Sequence, residues 1–203
     1  MRSAISGLAM MCAALAVGCG SATTSTATAP TTVSVTAAAL ADDNVLSFSG
    51  LSADAAAVTS YTEAGFTVTP RSGSWQARTT YGNPRPFIQF FTDPGATVVG
   101  EVLVSLISPT YLRSVDLYSS TTTIPYVIKG LRNGAVVFTL TGTLPNTYGT
   151  FRTVSSTNAV QIDALSIAMT NVSPSGGRNP MGFDNVSIGT SPAAPEPTYA
   201  LSG

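Results

Sequence analysis

Histidine is missing from this 203-residue chain altogether, and cysteine occurs only twice. Without histidine there is no serine–histidine or cysteine–histidine nucleophile pair and no imidazole-based zinc site. Charge is scarce as well: 9% of residues are Asp, Glu, Lys or Arg, and nine basic residues nearly balance ten acidic ones. Nucleic acid is excluded as a partner, because binding it needs clustered Lys and Arg to displace counterions. No repeat of solenoid or propeller length is present. The residues that are plentiful are Thr, Ser, Ala, Val and Gly, the composition of an exported β protein.

The chain opens with Arg2 and an apolar run to Gly18 that is too short to span a bilayer comfortably. A basic start, a short apolar core and small residues before a cut site describe a secretory signal peptide over residues 1–18. The residues Ala16, Val17, Gly18 and Cys19 resemble a bacterial lipoprotein signal. That resemblance implies cleavage before Cys19 and its lipidation, and, with Gly20 next, residence in the outer membrane. The alternative is an ordinary signal peptide with an incidental cysteine. Cys12 leaves with the leader, so the mature chain retains one cysteine, forms no internal disulfide and depends on its core.

Residues 19–43 lack aromatic residues and apolar periodicity, and read as a Ser/Thr/Ala-rich linker. As a flexible coil it would hold a domain about 25 Å from its anchor. From Asn44 to Gly189 short β-rich runs alternate with Gly, Pro, Asn and Ser, which predicts an all-β domain, an antiparallel β-sandwich or jelly roll. Asn133-Gly134 suits a type I′ hairpin turn, with Val136, Phe138 and Leu140 on one face of the returning strand and Val137, Thr139 and Thr141 on the other. In "AVQIDALSIAM" the apolar parity changes, which predicts a bulge or bend near Asp163-Ala164. Only residues 53–64 hold a pattern compatible with a helical turn.

"SYTEAGFTVT" and "GFDNVSIG" resemble the opening and closing strands of exported bacterial jelly-roll domains found in proteins with a PEP-CTERM sorting signal. Pro195, Glu196 and Pro197 match that signal's tripeptide. Residues 190–203 therefore read as a Pro-rich tail with a vestigial form of the motif, or as a Pro-rich end in which the tripeptide arose by chance.

Carboxylates, Arg, Lys and Tyr are the remaining catalytic groups. Glycoside hydrolysis needs two facing carboxylates; Glu63, Glu101, Asp116, Asp163 and Asp184 are available, and their spacing pairs none of them. No catalytic residue is assigned. Asp184 shares parity with Val186 and Ile188 and is expected on the apolar face, where a carboxylate needs partners. Resemblance to jelly-roll carbohydrate-binding families implies a structural calcium where the first and last strands meet, with Asp184, Glu63 and Asn44 as ligands. The alternative for Asp184 is hydrogen bonding to backbone amides.

For a ligand, "GSWQARTTYGNPRPFIQF" supplies Trp75, Arg78, Tyr81, Asn83 and Arg85: aromatic faces for the apolar side of a sugar and planar polar groups for its hydroxyls. Trp75 reads equally as the core tryptophan of a sandwich. The expected function is a non-catalytic cell-envelope lipoprotein that binds polysaccharide or another envelope component, touching the membrane through its lipid alone. The alternatives are an adhesive envelope protein without a sugar site, and a carboxylate-dependent glycan hydrolase or lyase.

Overall fold

Alternating apolar residues and turn-forming Gly, Pro and Asn give eleven strands among the described residues. They are β1 (Asn44–Leu46), β2 (Tyr61–Glu63), β3 (Phe66–Ser72), β4 (Trp75–Arg78), β5 (Phe87–Phe90) and β6 (Val99–Ser119). β7 (Ile124–Arg132), β8 (Ala135–Leu144), β9 (Arg152–Ser155), β10 (Ile162–Thr170) and β11 (Met181–Gly189) complete them. The computed structural model describes residues 43–90, 99–119, 122–146, 149–171 and 180–194, all within the unit Ala38–Gly203. Cys19, the 1–18 leader, nearly all of the 19–43 linker and the Pro195–Pro197 tripeptide lie outside these residues.

Every strand pairing is antiparallel, and the described residues contain no helix. One sheet runs β2-β3-β6-β10-β7-β8, using the first half of β6. The second runs β4-β5-β11-β6-β9, using the second half of β6, with β1 beside the later part of β11. β6 is thus a single strand of 21 residues that changes sheets, turning at the exposed residues Ile107, Ser108 and Pro109. Phe66, Val104, Ile128 and Leu165 from the first sheet and Phe90, Leu117 and Phe183 from the second fill one core. The architecture is the expected all-β, antiparallel β-sandwich.

The turn of the hairpin forms as expected, but a register shift between Gly130 and Leu131 makes Val137 an extra residue in β8 and breaks the expected parity of Val136 with Phe138 and Leu140. Asn133 (φ 51°) and Gly134 (φ 76°) both adopt the left-handed backbone of a type I′ turn. The register of β10 shifts between Ile162 and Ala164, so that Ile162, Leu165, Ile167 and Met169 all reach the core. Residues 53–64 differ from expectation. They contain no helix; their Ala55 and Val58 amides donate to Ala77 and Trp75 carbonyls, lining the outer edge of β4. Arg113 sits where the chain enters and leaves the domain, its Nε 3.4 Å from Asp43 Oδ1 and its Nη2 donating to Ser191 Oγ at 3.3 Å.

Candidate functional site

β4 alternates, so one of its faces must pack inward, and the structure assigns that face to Trp75. Its indole is 2% exposed, rests against Phe90 (centroids 4.9 Å apart) and meets Phe183 edge-on, and its N–H donates to the Ser72 carbonyl at 2.9 Å. The expectation of Trp75 as a sugar platform is therefore corrected: burial within a satisfied core leaves no ring face for a ligand. Arg78, at the end of β4, is turned to Asp54 at 3.1 Å. The Thr79 N–H donates to Asp54 at 2.8 Å and holds that carboxyl below its ordinary range, against a raising effect of burial and with help from Arg78. This pair ties residues 53–58 to β4.

Those candidates, Tyr81, Asn83 and Arg85, form an exposed row in the connection from β4 to β5, while Gly82, Pro84 and Pro86 between them are half-buried. The Asn83-Pro84 and Arg85-Pro86 peptide bonds are cis. The Asn83 N–H donates to the Gly149 carbonyl at 3.0 Å, Asn83 bridges to Thr150, and Arg85 Nη1 donates to the Thr80 carbonyl at 3.3 Å. The connection thus lies on the second sheet's outer face. Beneath it Phe87, Tyr118 and Phe151 make a separate aromatic cluster with centroids 5.0–5.6 Å apart. Gly82 (φ +92°) passes so close to Phe87 that no side chain fits there. Tyr81 lies edge-on to the buried Tyr118, whose hydroxyl is 3.2 Å from its own, yet remains 43% exposed. Its ring is fixed on one side and open on the other.

The acidic candidates fall differently. Asn185 has a positive φ of 45°, and the β11 register shifts between Asp184 and Ser187. Phe183 before the irregularity and Val186 after it both face the core, which puts Asp184 on the opposite face from Phe183. The parity expected for Asp184 is corrected accordingly. Asp184 is paired across the sheet with Asp116, so two carboxylates do meet. Asp184 is 1% exposed, and Asp116 accepts from Thr153 at 2.6 Å and Asn185 at 2.9 Å. Burial pushes the Asp184 carboxyl up to about 7; the Asn185 amide opposes this, and the charges of Asp116 and Glu63 add to it.

Glu63 accepts from Ser47 Oγ, Ser49 Oγ and the Ser49 N–H through one oxygen and from Tyr61 OH through the other. Burial raises its pKa, but the bonds from Ser49, Tyr61 and Ser47 together bring it below the ordinary value. Asn44 donates to the Ala64 carbonyl at 2.6 Å and pairs with Ile188, about 13 Å along β11 from Asp184. The expected calcium ligands therefore do not converge. Glu63 is occupied by hydrogen donors, Asn44 is distant from Asp184, and no group of three acidic residues assembles among the described residues.

No family model and no curated relative matches the chain by sequence. Solved structures share its shape. A DUF4465 family protein from Bacteroides caccae superimposes with a TM-score of 0.50 at 8% identity, covering 72% of this chain and 98% of that one. The family 32 carbohydrate-binding module of C. perfringens NanJ, in complex with galactose, gives 0.43 at 14% identity over 62% of this chain and 98% of that one. A family 61 module, TmCBM61, in complex with β-1,4-galactotriose, gives 0.37 at 11% identity over 61% and 88%. At 8% identity the likeness to the DUF4465 family protein is one of fold.

Proposed function

We propose that this chain is an exported, non-catalytic binding protein of the bacterial cell envelope, lipidated at Cys19, whose sandwich holds polysaccharide through Tyr81, Asn83 and Arg85. The observation that carries the reading is the posture of Tyr81. A tyrosine 43% exposed on a connection would ordinarily sample several rotamers, yet this ring is held edge-on against Tyr118. A ring already ordered loses little conformational entropy when a sugar stacks on it. Asn83 and Arg85 stand in the same exposed row and offer planar donors to hydroxyls. Among the carboxylates available for hydrolysis, Asp184 is buried and Glu63 and Asp116 are committed to hydrogen bonds, which favours holding over cleaving. Lipidation at Cys19 and outer-membrane residence follow the lipoprotein-like leader, and the 19–43 linker gives the domain its reach. A polysaccharide array is expected to show binding by the wild-type chain that is lost in Tyr81→Ala. Absence of any polysaccharide ligand, or undiminished binding by the variant, sinks the proposal.

A further inference from the structure

The row that begins at Tyr81 has a charge of its own. Residues 79–87, TTYGNPRPF, contain Arg85 and no carboxylate. Residues 149–152, GTFR, which Asn83 meets at Gly149 and Thr150, contain Arg152 and no carboxylate. Positive charge collects here although the whole chain carries a formal net charge of -1. Elsewhere Arg78, Arg113 and Arg132 are paired with Asp54, Asp43 and Asp163. Arg85 and Arg152 are exposed and have no carboxylate partner among the described residues. The acids nearest in register are Asp116, opposite Thr153, and Asp184 beside it. The first is bonded to Thr153 and Asn185 and the second is buried, and neither forms an ion pair with these arginines.

The setting of Arg85 suits an oxyanion. Pro84 and Pro86 on either side of it are half-buried and have φ fixed by their rings, and its Nη1 donates to the Thr80 carbonyl at 3.3 Å. The guanidinium is thus held along the connection, and its remaining N–H groups have no partner among the described residues. A guanidinium presents those groups as a planar fork that matches the paired oxygens of an oxyanion, whereas a lone hydroxyl engages it singly. Tyr81 and Arg85 lie within about 14 Å of extended chain, so a sugar on the Tyr81 ring and a charged sugar at Arg85 belong to one short stretch of polymer. We infer that the polymer held here is an acidic polysaccharide whose oxyanion, a sugar carboxylate or a sulfate ester, is received by Arg85. Arg152 adds to the attracting field through space. The inference rests on the polysaccharide reading of Tyr81 and adds the charge class of the ligand.

Titration calorimetry of the full chain tests this with two matched pairs: polygalacturonate against its methyl ester, and a sulfated galactan against the unsulfated one. Within a pair the sugar backbone is the same and the charge differs. In at least one pair the wild type should bind the charged member at least about tenfold more tightly, and the pair in which it does so identifies the anion. Arg85→Gln should bring that ratio to about one with an unchanged melting point, since the side chain is exposed. Arg71→Gln removes an exposed cation from β3, in the other sheet, and should keep the ratio, which separates a site from a response to overall charge. Equal affinity or no binding within both pairs, a ratio that survives Arg85→Gln, or one that Arg71→Gln abolishes equally overturns the inference. Each of these leaves the polysaccharide reading standing. That reading fails separately, if the array shows no ligand or Tyr81→Ala binds undiminished.

Discussion

Replacing Asp184 by Asn should make this protein more stable at neutral pH, although it alters a buried side chain in the middle of a strand. The carboxylate is 1% exposed and its Oδ1 has no hydrogen-bond partner among the described residues. Its pKa rises from 3.8 to about 7 through burial first, with Asp116 and Glu63 adding and the Asn185 amide opposing. A folded pKa above the unfolded one means that the acid's contribution to stability is complete below about pH 3.8 and is lost as the pH climbs to about 7. At about 1.4 kcal/mol per unit, the loss approaches 4 kcal/mol as an upper bound. Asparagine keeps the shape and an acceptor for the Asn185 amide but never ionises. Even half of that bound would raise the melting temperature by about 4–8 °C in a domain of this size. Thermal melts followed by circular dichroism at pH 4.5 and pH 8 measure it: the variant and wild type should nearly coincide at the lower pH and separate at the higher. A variant no more stable than the wild type at pH 8 refutes the reasoning. Wild-type melts with and without a chelator should agree, and a midpoint that falls on chelation would show that a bound cation contributes to stability.

Glu63→Ala should destabilise the domain by about 1–2 kcal/mol, because it strands the Ser47, Ser49 and Tyr61 donors at a partly exposed site that water can reach. Since the Glu63 pKa is lowered in the folded state, the part of this difference that depends on ionisation is present above pH 4.5 and fades as the pH falls through the folded value. Melts across pH 3–7 check both the size and the sign. Trp75→Ala should cost about 3–5 kcal/mol through the cavity left against Phe90 and Phe183. Urea titration measures this loss, and a change below about 1 kcal/mol would contradict the core assignment.

Which of these features the sequence makes legible depends on the range of the interactions that create them. The type I′ turn is local: Asn133-Gly134 can take two positive φ angles in succession, and no distant residue is needed to read it. The irregularity in β10 is legible because a change of apolar parity within one strand requires a bulge or a bend, and the register shift at Ile162–Ala164 is the former. Trp75 is different. In a four-residue strand alternation shows that one face is buried but not which, and the rings that decide it come from Phe90 and Phe183, on other strands. Regular alternation puts Asp184 on the apolar face, but the positive φ of Asn185 interrupts that alternation. Asparagine is one of the residues that tolerates that conformation, so "FDNV" held a weak local signal. The meeting of Asp184 with Asp116 carried no local signal, since it arises from the register of β11 on β6. Residues Ile107 to Pro109 look like a strand boundary, yet the chain stays extended while turning the corner between sheets. Tyr81, Asn83 and Arg85 were legible as chemistry, but the aromatic cluster beneath them draws on Phe87, Tyr118 and Phe151 and appears only in three dimensions.

The central claim, that an ordered and half-open Tyr81 makes the sandwich a polysaccharide binder, is tested most directly by titration calorimetry. The polysaccharide selected by the array is titrated into the wild-type chain and into Tyr81→Ala, with melting points compared beforehand. Loss of one stacking platform should weaken binding by at least about tenfold, equivalent to about 1.4 kcal/mol, while the two melting points stay within about 2 °C, since the exposed part of the ring contributes little to folding. Equal affinity in the two proteins, with both fully folded, would contradict the account.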